Sequence, residues 1–289
     1  MKILIGCLNV NGLGGSELYH YELVKELHLL GHDITLFSAR QIDKNDIVRK
    51  KLYDLGVKQI DLSNLDTSEY FDIIVASQPQ VNLFFIEKFP SIPKISIIHS
   101  EIRSEDPILS DNIQHYIAIR QPIVDMLINE YNISSDKVSL IYNPIDRNRF
   151  NGENSLKNQK KSGIFVGEVL DNIRFKSVSH LVNSCIDKDW DLYLMSDSRY
   201  DFKHPNIKYI DKRWDTENVV KNMDFTAGIL LGRTTLEGWC CSVPGYMYLI
   251  DINGDILNIE IQKPENIEEL CDSKNVASKH IDLYNKIIK

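Results

Sequence analysis

The chain has 289 residues, 43% hydrophobic and 26% charged, with 33 Lys and Arg against 41 Asp and Glu for a formal net charge of −8. That length predicts two domains of about 130 to 150 residues each, and the acidic balance argues against a protein that coats DNA or RNA. The same balance leads us to expect a small-molecule partner, and no apolar run reaches the roughly 18 residues of a membrane-spanning helix, so a soluble protein is expected.

Met1-Lys-Ile-Leu-Ile-Gly6 reads as the start of a strand and not as a signal peptide. The five cysteines, Cys7, Cys185, Cys240, Cys241 and Cys271, form no C-x-x-C pair and lie near no ligand-like histidine spacing. They read as reduced thiols of a cytoplasmic protein, and no metal site is expected.

In chain order, residues 2–8 are a predicted strand, residues 16–30 a helix and residues 33–37 a second strand, together a βαβ unit. Tyr19, Leu23, Leu27 and Leu30 mark the helix's buried stripe, and Gly31 closes it. The loop between the first strand and the helix carries Gly12-x-Gly14-Gly15. This is not the G-x-G-x-x-G dinucleotide fingerprint, and no acidic residue ends the second strand, so neither a nicotinamide nor a flavin cofactor is expected. Glycines there still allow a ligand to approach the backbone.

Further strands are predicted at residues 59–61, 72–76, 94–99, 116–119 and 137–142, with a helix at 123–131. Strands alternating with helices imply an α/β protein with parallel sheets covered on both faces, and ligands gather at the carboxyl ends of such strands. Ser77-Gln78-Pro79 and His99-Ser100-Glu101 fall at that edge. Taken alone, a histidine after an apolar strand is more often a hydrogen-bonded loop residue than a catalytic group. The other seven histidines fall in predicted helices or polar loops and suggest nothing specific.

Residues 151–162 are polar, rich in lysine and without apolar periodicity, which makes them the linker candidate between domains at 1–150 and 151–289. The last helix is expected to pack back on the first domain. In the second half, strands are predicted at 163–167, 191–195, 207–210 and 225–231, and helices at 175–185, 217–223 and 234–241, the last closed by Pro244 and Gly245. Thr234 followed by Glu237 has the form of a capping box, with Thr234 as N-cap. Gly232, Arg233, Thr234 and Thr235 then place a flexible backbone, a cation and helix N–H groups where a diphosphate fits. Arg174 and Lys176 follow the 163–167 strand and are expected at the same edge. Asp189-Trp-Asp191 opens a strand at the opposite edge and reads as a solvated turn, not as a metal–nucleotide motif.

Four stretches resemble the retaining sugar-nucleotide glycosyltransferases of GT-B architecture, similar to glycosyltransferase family 4 and built from two facing Rossmann-like domains. They are Gly14-Gly15-Ser-Glu with Leu23, Leu27 and Gly31-His-Asp33; Ile98-His99; Asn143, Asp146 and Phe150 after Asp136-Lys-Val; and Arg233-Thr-Thr-Leu-Glu237 through Cys241 and Pro244. The resemblance implies a metal-independent transfer of sugar from a nucleoside diphosphate sugar, with retained anomeric configuration. It implies Glu237 on the donor ribose, Arg233, Arg174, Lys176 and the helix start on the diphosphate, Gly14 and Gly15 near the phosphates, and His99 at the acceptor cleft. The acceptor is left open among glycan, lipid, protein and modified nucleobase, and the oligomeric state is open too.

Departures matter as well. The family's first motif glutamate, eight positions before Glu237, is replaced by Ile229, which leaves the usual sugar contact without a carrier. Glu168 follows Gly167 where the family tends to place an arginine. The chain is short for the family, so a trimmed second domain is expected. Two rival readings remain: a nonhydrolysing sugar-nucleotide epimerase, for which no set of acid/base carboxylates is evident, and a noncatalytic member that only binds nucleotide.

Overall fold

The computed structural model describes residues 1–101, 106–152, 159–168, 172–196, 201–250, 256–259 and 263–289. It divides into two compact units, one of Met1–Gly12, Ser16–Pro144 and Ser273–Lys289, the other of Leu13–Gly15 and Ile145–Asp272.

The first unit is built on seven strands: β1 (Lys2–Cys7), β2 (Asp33–Ser38), β3 (Lys58–Asp61), β4 (Ile73–Ser77), β5 (Lys94–Ile98), β6 (His115–Ala118) and β7 (Val138–Leu140). Their order is β3-β2-β1-β4-β5-β6-β7, and every neighbouring pair is parallel. The chain winds outward from β1 in one direction and from β4 in the other, so the switch point lies between β1 and β4, where an open α/β sheet takes its ligands. Helices α1 (Gly15–Leu29), α2 (Ile47–Asp54), α3 (Pro79–Lys88) and α4 (Gln121–Asn129) connect these strands.

Strands β1, β2, β4, β5 and β6 are buried almost throughout, as the apolar runs in most of them demand, whereas edge strand β3 buries only Ile60. Gly6 in β1 has a packing reason: a Cβ there would lie 2.2 Å from the Phe85 ring of α3. Tyr19, Leu23 and Leu27 of α1 are fully buried, but Leu30 is exposed, because the helix stops at Leu29 and Gly31 turns the chain with a φ of 85°.

The C-terminal helix α9 (Ser273–Ile288) belongs to this unit and buries Val276, Ala277, His280, Leu283 and Tyr284. Its first residue donates from Ser273 Oγ to Glu26 Oε1 of α1 at 3.1 Å.

The second unit has six strands: β8 (Ser162–Val166), β9 (Asp191–Met195), β10 (Ile207–Ile210), β11 (Phe225–Gly228), β12 (Gly245–Ile250) and β13 (Ile256–Ile259), in the order β10-β9-β8-β11-β12-β13. All pairs are parallel except β12–β13, an antiparallel edge of the kind that doubly wound sheets often carry. The switch point here lies between β8 and β11. Helices α5 (Asn172–Asp187), α6 (Glu217–Val220), α7 (Arg233–Cys240) and α8 (Ile267–Leu270) complete the unit. Phe165, Val178, Leu181, Leu192, Leu194 and Phe225 form the centre of its core, and Gly163 leaves room for the Phe225 ring, 2.1 Å from where its Cβ would stand.

Residues 145–150 pack with this second unit. Arg149 lies 4.2 Å over the Trp214 ring and donates to Glu217 Oε2 at 2.7 Å, while Phe150 is 1% exposed. Of the predicted linker at 151–162, residues 153–158 lie outside the described residues.

Two expectations are corrected. The strand predicted at 225–231 ends at Gly228, and Ile229 to Leu231 form a loop that folds back until Leu230 O lies 2.9 Å from a Cβ built on Gly228. The N-cap of α7 is Gly232, in extended backbone with φ −105° and ψ −176°, and not Thr234. With the helix starting one residue earlier, Glu237 stands four positions after its first residue, Arg233, and pairs with that side chain instead of reaching back to a cap.

Candidate functional site

In the second unit, α5 rises from the carboxyl end of β8 and α7 from that of β11, and these two strands are neighbours at the switch point. Arg233 Nε donates to Glu237 Oε1 at 2.6 Å, and both side chains are buried, at 6% and 4% exposure. The pair stands on the opening turns of the helix, where N–H groups lack intrahelical acceptors and the dipole favours negative charge. Thr234 is buried beside them. Thr235 is fully buried, and its Oγ1 makes no hydrogen bond among the described residues.

Arg174, half-buried, and Lys176, exposed, lie in the opening turns of α5. Glu168, after β8, accepts from Lys212 Nζ at 2.6 Å and from Ser196 Oγ at 3.0 Å. Lys212 is thereby brought to the same edge from beyond β10, a cation that periodicity did not single out. Asp189 and Asp191 sit at the opposite edge, before and at the start of β9, each within 2.5 Å of a lysine, Lys160 and Lys208.

The carboxyl ends of β1, β4 and β5, with the loops that follow them, carry the remaining candidates. Gly15 opens α1, and a Cβ added to it would meet nothing within 4 Å, so the space before the helix is open. Gly14 precedes it in the same loop. Gln78 follows β4 with a φ of 65°, unusual for a side chain with a Cβ, and its Oε1 accepts from Leu8 N at 3.0 Å. Backbone strain of this kind gathers at functional sites, and nothing in the sequence flagged it.

His99, partly exposed, follows β5 and lines a small cavity of about 10 Å³ with Gln78, Asn82, Asp106 and Ile108. That volume is about one water's worth. His99 Nε2 lies 3.0 Å from Ser77 Oγ, which is 2.9 Å from His20 Nε2, and His20 Nδ1 lies 2.6 Å from the carbonyl of Ser16. Tyr19 stands perpendicular to His99 with ring centroids 4.9 Å apart, and its hydroxyl lies 3.1 Å from His280 Nε2 of α9. His280 Nδ1 in turn lies 2.8 Å from Tyr284 Oη. Of the histidines set aside in the sequence, two therefore stand behind His99. Arg120, which is 3% exposed, donates from Nε to Glu101 Oε2 at 2.8 Å two residues beyond His99.

Burial pushes these imidazoles toward the neutral form: His20 down to about 4, His280 down to about 3, and His99 well below the ordinary value, where His20 and Arg120 add to the effect. Burial lowers His115 to about 4 as well. A histidine depressed in the folded chain takes its proton first when unfolded, so stability should fall as the pH drops from about 6.5 toward 4. Each fully buried ring is expected to cost about 3 kcal/mol by pH 4. Urea titrations at pH 7 and 4.5 check this, with His280→Gln expected to flatten the slope; a parent whose stability is unchanged over that range would refute it.

Residues 13–149 match the model of Glycosyltransferase Family 4. That stretch is just under half of the chain, and the chain as a whole has the two-sheet GT-B fold of the solved glycosyltransferases below. No curated protein sequence matches it, and the similar solved structures are distant in sequence. HepE of Anabaena, in complex with UDP-glucose, aligns with a TM-score of 0.69 at 13% identity, over 100% of this chain and 92% of that one. A glycosyltransferase from Rickettsia africae aligns at 0.66 and 13%, over 100% and 99%. The lipopolysaccharide outer core galactosyltransferase WaaB aligns at 0.61 and 16%, over 100% and 94%. No helix among the described residues is long and apolar enough to cross a membrane, and no three His, Cys, Asp or Glu side chains among them could hold a metal ion. The five cysteines are free and buried.

Proposed function

We propose that this protein is a glycosyltransferase that moves a sugar from a uridine diphosphate sugar to an acceptor carried mainly by the first unit, without a metal, with retention, and in the cytoplasm. The observation that carries the donor half is the buried Arg233–Glu237 pair on the opening two turns of α7 at the β8–β11 switch point. HepE supports the choice of base, since it was captured with UDP-glucose and with UDP and glucose.

The barrier in such a transfer is departure of the diphosphate, whose charge grows in the transition state. Arg233, Arg174, Lys176 and the start of α7 at Thr234 and Thr235 meet that charge, Glu237 takes the ribose hydroxyls, and Gly14 and Gly15 let the phosphates approach the loop before α1. His99 positions hydroxyls. Ile229, packed against the core of the second unit, gives the sugar no carboxylate at the position of the family's first motif glutamate, so the sugar is recognised by other groups.

A thermal-shift series with UDP, other nucleoside diphosphates and UDP-sugars tests the reading. A ligand at 100 times its dissociation constant stabilises by about 2.7 kcal/mol, and a protein that no nucleoside diphosphate stabilises would refute it. Arg174→Ala and Lys176→Ala are each expected to lower kcat/KM by about tenfold or more, the worth of one charge-assisted contact of about 1.5 kcal/mol or above. Turnover measured in EDTA should equal that without it; loss of turnover restored by manganese would overturn the metal-independent reading.

A further inference from the structure

The contacts behind His99 determine which of its nitrogens carries the proton. The Ser16 carbonyl can only accept, so His20 Nδ1, 2.6 Å away, must be the protonated nitrogen of that ring. His20 is fully buried and neutral at physiological pH, which leaves its Nε2 with a lone pair and no proton. The Ser77 hydroxyl, 2.9 Å away, therefore donates to His20 Nε2. A hydroxyl has one proton to give. Having spent it on His20, Ser77 Oγ faces His99 Nε2 at 3.0 Å as an acceptor, and His99 must donate from Nε2.

If Ser77 donated to His99 instead, two lone pairs would confront each other between Ser77 and His20, both fully buried, and a buried polar group would go without its bond. Only one assignment satisfies all three contacts with neutral rings. It leaves the lone pair of His99 on Nδ1, which makes no hydrogen bond among the described residues.

We propose that His20 and Ser77 are positioning residues that lock His99 in the Nε2–H tautomer, so that Nδ1 accepts a hydrogen bond from a substrate hydroxyl. In that state His99 repels a phosphate oxygen, since both offer lone pairs, and selects a group that bears a proton. Tyr19, perpendicular to the His99 ring and tied through its hydroxyl to His280 of α9, holds the ring from the side. The consequence for turnover rests on the role given to His99 above; the tautomer assignment does not.

The test uses the full-length chain labelled with nitrogen-15 at histidine. In the ligand-free parent, the long-range nitrogen–proton spectrum of His99 should show a protonated Nε2 and a bare Nδ1, and in Ser77→Ala a mixture of tautomers. UDP release from a panel of UDP-sugars should fall roughly 10- to 100-fold in kcat for Ser77→Ala, the scale on which outer partners that orient metal-bound histidines act, with UDP affinity unchanged. Ser77→Cys, which keeps the volume and a weaker donor, should lie between the two and serves if the alanine variant does not fold. A protonated Nδ1 in the parent, or an unchanged spectrum in the folded variant, overturns the lock. A shifted spectrum with parental kcat overturns the positioning role. A parent that releases no UDP from any UDP-sugar refutes the proposed function instead, and the spectrum still decides the lock.

Discussion

Glu237→Ala is expected to weaken UDP binding by about 10- to 100-fold, the worth of a charge-assisted hydrogen bond to the ribose at about 1.5–3 kcal/mol. The same change removes the carboxylate 2.6 Å from the Arg233 Nε and leaves a guanidinium that is 7% exposed beside an empty place. Breaking a buried pair on one side costs on the order of 3 kcal/mol of stability, so affinity must be measured on protein shown to be folded. Glu237→Gln separates the two effects. The amide oxygen still accepts from Arg233 and fills the same volume, so stability should largely return while the ribose contact, now to a neutral group, is only partly restored. Parental UDP affinity in folded Glu237→Ala would end the ribose assignment.

The pairing behind that prediction shows where the sequence was readable and where it was not. The spacing of Thr234 and Glu237 satisfied a capping-box pattern, but the same glutamate also stands four positions after Arg233, and on a helix a charge-assisted i,i+4 pair competes for the same carboxylate. Because Gly232 takes the cap position in extended backbone, the pair wins. Apolar character alone also extended the preceding strand through Leu231, since hydrophobicity does not show that the backbone folds back after Gly228. The first βαβ unit was legible to within a residue or two because Gly31, at positive φ, punctuates it.

Helix α3 went unread because it starts at Pro79 after a glutamine with positive φ, a conformation that no propensity assigns to glutamine. The histidine cluster was hidden for a different reason. His20 and His280 look like polar interruptions of amphipathic helices, and only the packing of α9 against α1 brings His280 to Tyr19. A signal did exist: His280 and Tyr284 stand at i,i+4 within the stripe Val276, Ala277, His280, Leu283 and Tyr284, where a polar side chain must find a polar partner.

His99→Ala is expected to lower kcat by about a hundredfold, the lower end of what a positioned proton-handling side chain contributes, while UDP affinity stays near the parental value. The separation follows from the fold: His99 directly follows β5 of the first unit, whereas the proposed UDP contacts of Glu237 and Arg233 stand on α7 of the second. Some stability should go as well, since the substitution removes the ring that faces Tyr19 and the partner of Ser77 Oγ, at a cost of about 1–3 kcal/mol for a buried polar group left without its bond. A purely structural histidine would give that stability loss and nothing else. Turnover, UDP binding and melting temperature must therefore be compared in the same preparation, with kcat referred to the folded fraction. The neighbouring Glu101 offers an internal contrast. It is tied to the buried Arg120, so Glu101→Gln should affect stability more than kcat if His99 is the group that meets the hydroxyls. A folded His99→Ala protein with parental kcat and a lowered melting temperature would remove His99 from the site and with it the placement of substrate hydroxyls at the end of β5.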